Sequence, residues 1–142
     1  MTTLASGIDW GAQALEHELA AELPGLQVQV RASLDSTNTR LLELCRAFDG
    51  PQFEPLLLVA ESQTAGRGRL GRTWFATPAA SLTFSLALPL QNAQLGGLSL
   101  AVGVALAEAL DAPCAGAPRL LLKWPNDLWL RSAPRATRLL GR

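Results

Sequence analysis

The sequence predicts an α+β or α/β layer structure: helices packed on a mixed β-sheet. Two observations point there. Segments with apolar residues at helical spacing alternate with short apolar or alternating runs of strand length. Turn signals rich in Gly, Pro, Asn and Asp separate them. A chain of 142 residues fits one domain with a modest core, and 49% hydrophobic against 17% charged residues is a globular composition.

The elements follow in order. Ser6 and Asp9 form a capping-box pattern, after which Ile8, Ala12, Leu15, Leu19 and Leu23 recur at helical spacing until Pro24-Gly25. "LQVQVRA" sets Leu26, Val28 and Val30 against Gln27, Gln29 and Arg31, the alternation of a half-buried strand. Asp35 or Ser36 can cap a second helix that carries Leu41, Leu42, Leu44, Cys45 and Phe48 on its buried side. "LLLVAES" from Leu56 is an unbroken apolar run suited to an interior strand. "SLTFSLALPL" alternates Leu82, Phe84, Leu86 and Leu88, giving another strand. Gly96-Gly97 opens a helix of small and apolar residues, "LSLAVGVALAEAL", able to pack closely on a sheet. "RLLLKWPNDLWL" places two short strands around a Pro125-Asn126-Asp127 turn. The tail, "RSAPRATRLLGR", stops where a further core strand is expected, so the sequence reads as a fragment of a larger domain.

Twelve Lys and Arg balance twelve Asp and Glu, and the pI is about 6.6. A protein gripping nucleic acid by its phosphates usually shows a basic excess. Here the positive charge is local, which suits a small anionic ligand. Cys45 and Cys114 are far apart, show no metal-ligand spacing, and read as buried thiols of a reduced, cytoplasmic protein. "MTTLASGIDW" lacks the basic and apolar regions of a signal peptide, and no apolar run approaches the ~20 residues of a membrane span.

Three clusters carry chemistry. "GRGRLGRTW", Gly66 to Trp74, combines bare backbone, three guanidinium groups and an indole. Gly66, Gly68 and Gly71 let amides approach a ligand closely. Arg67, Arg69 and Arg72 match phosphate or carboxylate oxygens bidentately, each charge-assisted bond contributing roughly 1.5–3 kcal/mol once water is excluded. Trp74 offers a face to a base. The spacing is neither a Walker motif nor a dinucleotide fingerprint, and a basic surface loop is the bland alternative. In "KWPND", Lys123 can neutralise phosphate charge while Asp127 holds Mg²⁺. The structural alternative is a plain strand–turn–strand with Trp124 in the core and Asp127 bound to turn amides. In "DSTN", Asp35 to Asn38, the residues either cap a helix or offer hydroxyls and amides to a polar ligand.

"DSTN", "ESQTAGRGRLGRTW" and "KWPND", in that order, resemble the catalytic domain of bacterial biotin–protein ligases, from about Val28 to Leu130. The similarity to lipoate ligases is weaker. The resemblance implies a class II aminoacyl-tRNA synthetase/biotin ligase-like fold, present here without its later core strands and C-terminal β domain. It implies formation of biotinyl-5′-AMP from biotin and ATP, then transfer of biotin to a lysine of a carrier protein such as a biotin carboxyl carrier. ATP, Mg²⁺ and biotin would be the small-molecule partners.

Carried onto this sequence, the biotin site comprises Ser36, Thr37, Asn38, Gln63, Arg67, Gly68, Arg69 and Arg138. The ATP site comprises Gly66, Arg69, Arg72, Trp74, Lys123 and Asn126, with Asp127 as the metal ligand. Arg67, Arg69, Lys123 and Arg138 would act on the reacting groups. Arg138 stands where the family usually has lysine, and its forked head is not equivalent there. No general base is demanded, in keeping with a single histidine, His17, on the surface of the first helix. With only that helix before Leu26, no DNA binding is expected, nor any membrane attachment. Bare sheet edges leave a homodimer open. The competing readings are a lipoate or octanoate ligase and a non-catalytic module for anions or single-stranded nucleic acid.

Overall fold

The computed structural model of the chain describes residues 8–50, 53–75, 77, 80–90, 95–111, 119–131 and 137–140, the last four by their backbone alone. Two compact units make up the chain, Met1–Gln91 and Asn92–Arg142.

The first unit is built on a mixed three-stranded sheet. It contains α1 (Ala12–Glu18), β1 (Gln27–Arg31), α2 (Thr37–Ala47), β2 (Leu56–Ala60), a short 3₁₀ turn (Arg69–Gly71) and β3 (Thr83–Ala87). β2 lies in the middle, parallel to β1 and antiparallel to β3, with Leu58 opposite both Gln29 and Ser85. A parallel neighbour needs a crossover, and α2 provides it. The unbroken apolar run of β2 follows from that central place: Leu58 is 1% exposed, and Leu41 of α2 joins Leu56 and Leu58 in the core. β1 is an edge, and Glu16 of α1 accepts the N–H of Val28 at 2.6 Å, so one donor of that edge is occupied.

Three details depart from the sequence reading. α1 is only seven residues long: Gly11 takes a left-handed conformation just before it, which leaves Ile8 outside, and the helix ends at Glu18, before Leu19 and Leu23. Ser6 lies outside the described residues. On α2 the buried line is Thr37, Leu41 and Leu44, while Leu42, Cys45 and Phe48 are exposed. The latter form the adjacent stripe, which lines an open groove of about 430 Å³ beside β3. Cys45 is therefore no buried thiol, and Cys114 lies outside the described residues. On β3 the small residues Thr83, Ser85 and Ala87 are the better covered, and the large ones, Leu82, Phe84, Leu86 and Leu88, stay exposed.

The second unit holds α3 (Leu98–Leu110), β4 (Leu120–Lys123), β5 (Asp127–Arg131) and β6 (Thr137–Leu140), the strands forming an antiparallel sheet in that order. Gly97, at φ 84°, starts α3 where the Gly-Gly pair predicts. The expected close packing is visible at Gly103, where an added Cβ would come within 2.5 Å of Leu122 on β4. β6 is a strand the sequence reading did not identify. Among the described residues no helix is long and apolar enough to cross a membrane.

Candidate active site

Ser36 and Thr37 sit at the start of α2, both 3% exposed. Ser36 is extended, and its Oγ accepts the N–H of Thr39, which makes it the helix cap. Thr37 is tied across the fold. Its N–H donates to Gln63 Oε1 at 2.7 Å and its hydroxyl donates to the same oxygen at 3.2 Å. Ser85 Oγ in turn donates to the Thr37 hydroxyl at 2.8 Å. The capping reading of "DSTN" is thus realised at Ser36, while Thr37 is buried beside it and Asp35 and Asn38 are exposed. Asn38 borders the groove beside β3 together with Ser85.

The backbone adds a second seam between the same segments. Leu34 and Gln63 form an isolated parallel bridge, and the N–H groups of Thr64 and Ala65 reach the carbonyls of Leu34 and Asp35 at 2.9 Å each. The chain leaves this seam directly into the arginine-glycine loop, so four sequence-predicted residues, Ser36, Thr37, Asn38 and Gln63, stand at its base.

The loop is a small hairpin. Arg67 pairs with Thr73, Trp74 N–H donates to Gly66 O at 2.8 Å, and Gly68 N–H donates to Arg72 O at 2.7 Å. Gly66 is buried and has no room for a side chain: a Cβ would lie 2.6 Å from Trp74 O. Gly71 has φ 74°, and next to it Leu70, 93% exposed, holds φ 57°. Gly68 differs, with an ordinary extended backbone and an N–H already used within the hairpin. A nest made from all three glycine amides is therefore not what the loop offers. The arginines offer the charge instead: Arg67, Arg69 and Arg72 are all exposed. Arg67 and Arg72 make no ion pair among the described residues. Trp74 lies on the exposed side of the hairpin.

In the second unit, β4 and β5 pair Lys123 with Asp127. Lys123 Nζ is 3.4 Å from Asp127 Oδ2, and Asn126 Nδ2 donates to Asp127 Oδ1 at 3.2 Å. The carboxylate therefore meets side chains and not turn amides. Trp124 is 74% exposed and not in a core, and the Trp124–Pro125 bond is cis. No group of three or more His, Cys, Asp or Glu that could hold a metal occurs among the described residues. That donor set suits Mg²⁺ only in its usual form, one protein carboxylate with the remaining ligands from water and phosphate. Arg138 is paired with Leu130 in the β5–β6 register, and its side chain lies outside the described residues.

Two residues of these clusters escaped the sequence reading. Ser85 completes the Thr37 network, a contact spanning 48 positions that no local pattern announces. Trp129 has its ring 5.0 Å from the Lys123 ammonium. The alternation of β5, which puts Asp127 and Trp129 on one face, was the available signal.

Comparison with known proteins now adds to this geometry. A family model described as the biotin/lipoate A/B protein ligase family matches residues 30–134. The biotin–[acetyl-CoA-carboxylase] ligase of Mycobacterium tuberculosis is 40% identical over 115 residues, covering 78% of this chain and 42% of the relative. The bifunctional ligase/repressor BirA of Escherichia coli is 38% identical over 116 residues, covering 80% and 34%. The chain thus spans less than half the length of these relatives. Among solved structures, a biotin acetyl coenzyme A carboxylase synthetase from Helicobacter pylori with bound biotinylated ATP has 29% identity. It aligns at a TM-score of 0.53 over 80% of this chain and 58% of its own. A biotin protein ligase from Leishmania major in complex with biotin aligns at 0.52 with 26% identity, covering 83% and 55%.

Proposed function

The chain belongs to the biotin/lipoate A/B protein ligase family, and from that premise we propose that it binds biotin and ATP and joins them as biotinyl-5′-AMP. The observation that carries this reading is the Thr37–Gln63 contact, which fixes the start of α2 to the base of the arginine loop. Polar groups suited to a ureido head and guanidinium groups suited to a carboxylate and phosphate thereby belong to one hydrogen-bonded unit.

The reaction brings two anions together. A carboxylate oxygen of biotin attacks the α-phosphorus of ATP, the bond to the bridging β-phosphate oxygen breaks, and pyrophosphate leaves with the electron pair. The barrier is one of charge and position, so no side-chain nucleophile or base is needed. Arg67 and Arg69 hold the biotin carboxylate and the α-phosphate, Arg72 takes the outer phosphates and Trp74 covers the adenine. Gln63 Nε2, whose companion oxygen is spent on Thr37, remains as a donor for the ureido side, with Asn38. The second unit, taken by itself, offers Lys123 as a cation suited to phosphate oxygen, beside an Asp127 carboxylate steadied by Asn126. Bound Mg²⁺ would supply further neutralisation of phosphate charge, with Asp127 as its protein ligand. In the second step an acceptor lysine amine attacks the acyl carbonyl, AMP leaves, and the amine loses a proton. A biotin carboxyl carrier protein is the acceptor this chemistry implies, in a cytoplasmic setting.

Pyrophosphate exchange into ATP, measured with and without biotin, tests the reading. Exchange that depends on biotin is expected. Exchange that depends on lipoate instead would move the chain to the other branch of the family, and no exchange with either acid would contradict the proposal.

A further inference from the structure

We infer that Trp129 is a positioning residue for Lys123, holding its ammonium ready for the nucleotide phosphates; this rests on the ATP-binding reading above. The register pairs Lys123 with Asp127 and Leu121 with Trp129, so Lys123 and Trp129 are diagonal neighbours on one face of the β4–β5 ladder. The ammonium stands between two attractions, the Asp127 carboxylate at 3.4 Å and the indole face at 5.0 Å. Neither consumes all three of its donors. The Lys123 side chain is 51% exposed, so an anion can reach it from solvent. Without the ring, a four-carbon stem on a short strand would sample many rotamers, and binding phosphate would have to freeze them.

Trp129 carries a cost that supports this use. Its Nε1–H is buried with no acceptor among the described residues. Leucine or phenylalanine would fill the place without stranding a donor. What the indole adds is the most electron-rich face, which leucine lacks and phenylalanine has in weaker form, and Lys123 is the group over that face.

The test uses the whole chain with W129F and W129L. The Lys123 Hε protons, assigned by their absence in K123R, are expected upfield of an ordinary lysine through the indole ring current. They should return to the ordinary position in W129L. Calorimetric titration should show ATP binding weakened roughly two- to fivefold in W129L, W129F lying between, while biotin affinity is unchanged. If W129L does not fold, W129F decides by whether the Lys123 shift and the ATP affinity both fall. Lys123 protons at the ordinary position in the unaltered chain, or equal ATP affinity in all three proteins, would overturn the inference alone. Failure of the unaltered chain to bind ATP would instead overturn the nucleotide reading on which it stands.

Discussion

Thr37 gives both its backbone N–H and its hydroxyl proton to one oxygen, Oε1 of Gln63, 26 positions along the chain. Helix starts leave free donors, and a side-chain acceptor normally comes from the capping residue itself. Here the first helical residue borrows its acceptor from the base of the arginine loop, so helix α2 and the loop share a joint. Gln63→Leu removes that acceptor and leaves two buried donors unpaired. The variant should lose on the order of 1–3 kcal/mol in urea unfolding, and biotin should bind more weakly. An unchanged unfolding midpoint would show that the joint does not bear on stability.

The glycines of the loop are not equivalent, and a pair of alanine variants separates them. Gly66→Ala drives a Cβ to 2.6 Å from Trp74 O, against backbone that cannot turn aside. At Gly68 the nearest atom would be 3.4 Å away, an ordinary contact. Gly66→Ala should open the hairpin, with a stability loss of about 1–3 kcal/mol and strongly weakened ligand binding. Gly68→Ala should leave the fold intact. Equal behaviour of the two in thermal melts would contradict the hairpin geometry.

The arginines should register in rate more than in stability. Arg67 and Arg69 are exposed, and in the reaction they would face charge that develops at the transition state. Arg69→Ala should slow biotin-dependent pyrophosphate exchange about 10²–10³-fold while the urea midpoint moves little. Arg69→Lys should recover only part of the rate, because a point charge cannot bridge two oxygens as a fork does. Loss of stability in step with loss of rate would assign the arginine a structural task.

Asp111 closes the connection from α3 to β4. It accepts the N–H of Leu120 at 2.9 Å, the N–H of Arg119, and Arg119 Nε at 3.1 Å. The Leu120 amide, with the Arg119 side chain and amide, outweighs desolvation and holds the carboxyl below its ordinary value of 3.8. The folded value is the lower one, so its stabilisation is complete above the ordinary value and disappears as pH falls through the folded value. Asp111→Asn should therefore be less stable than the parent near neutrality, and the gap should close in strong acid. A gap independent of pH, in urea midpoints measured across that range, would contradict the assignment.

Local signals were readable where one residue type has one physical reason to be present. Gly97 begins α3 because only glycine accepts its positive φ easily, and Ser36 caps α2 because its hydroxyl oxygen accepts the amide three residues on. The motifs themselves also survived, since hairpin and turn are built within a few residues. Partners distant in sequence were not readable. Nothing near Gln63 announces Thr37, and nothing near Ser85 announces either. Periodicity gave α2 a helical face but could not choose between two adjacent stripes, so Leu42, Cys45 and Phe48 went to the wrong side. "TRLL" was too short, and too close to Pro134 and three arginines, to read as β6.

The most direct measurement is the affinity of a non-hydrolysable biotinyl-adenylate mimic, set beside those of biotin and ATP alone on the same chain. A site built around the mixed anhydride should bind the mimic far more tightly than either substrate, and Arg67→Ala with Arg69→Ala should abolish most of that advantage. A mimic that binds no better than biotin, or equally well after both arginines are removed, would contradict the account.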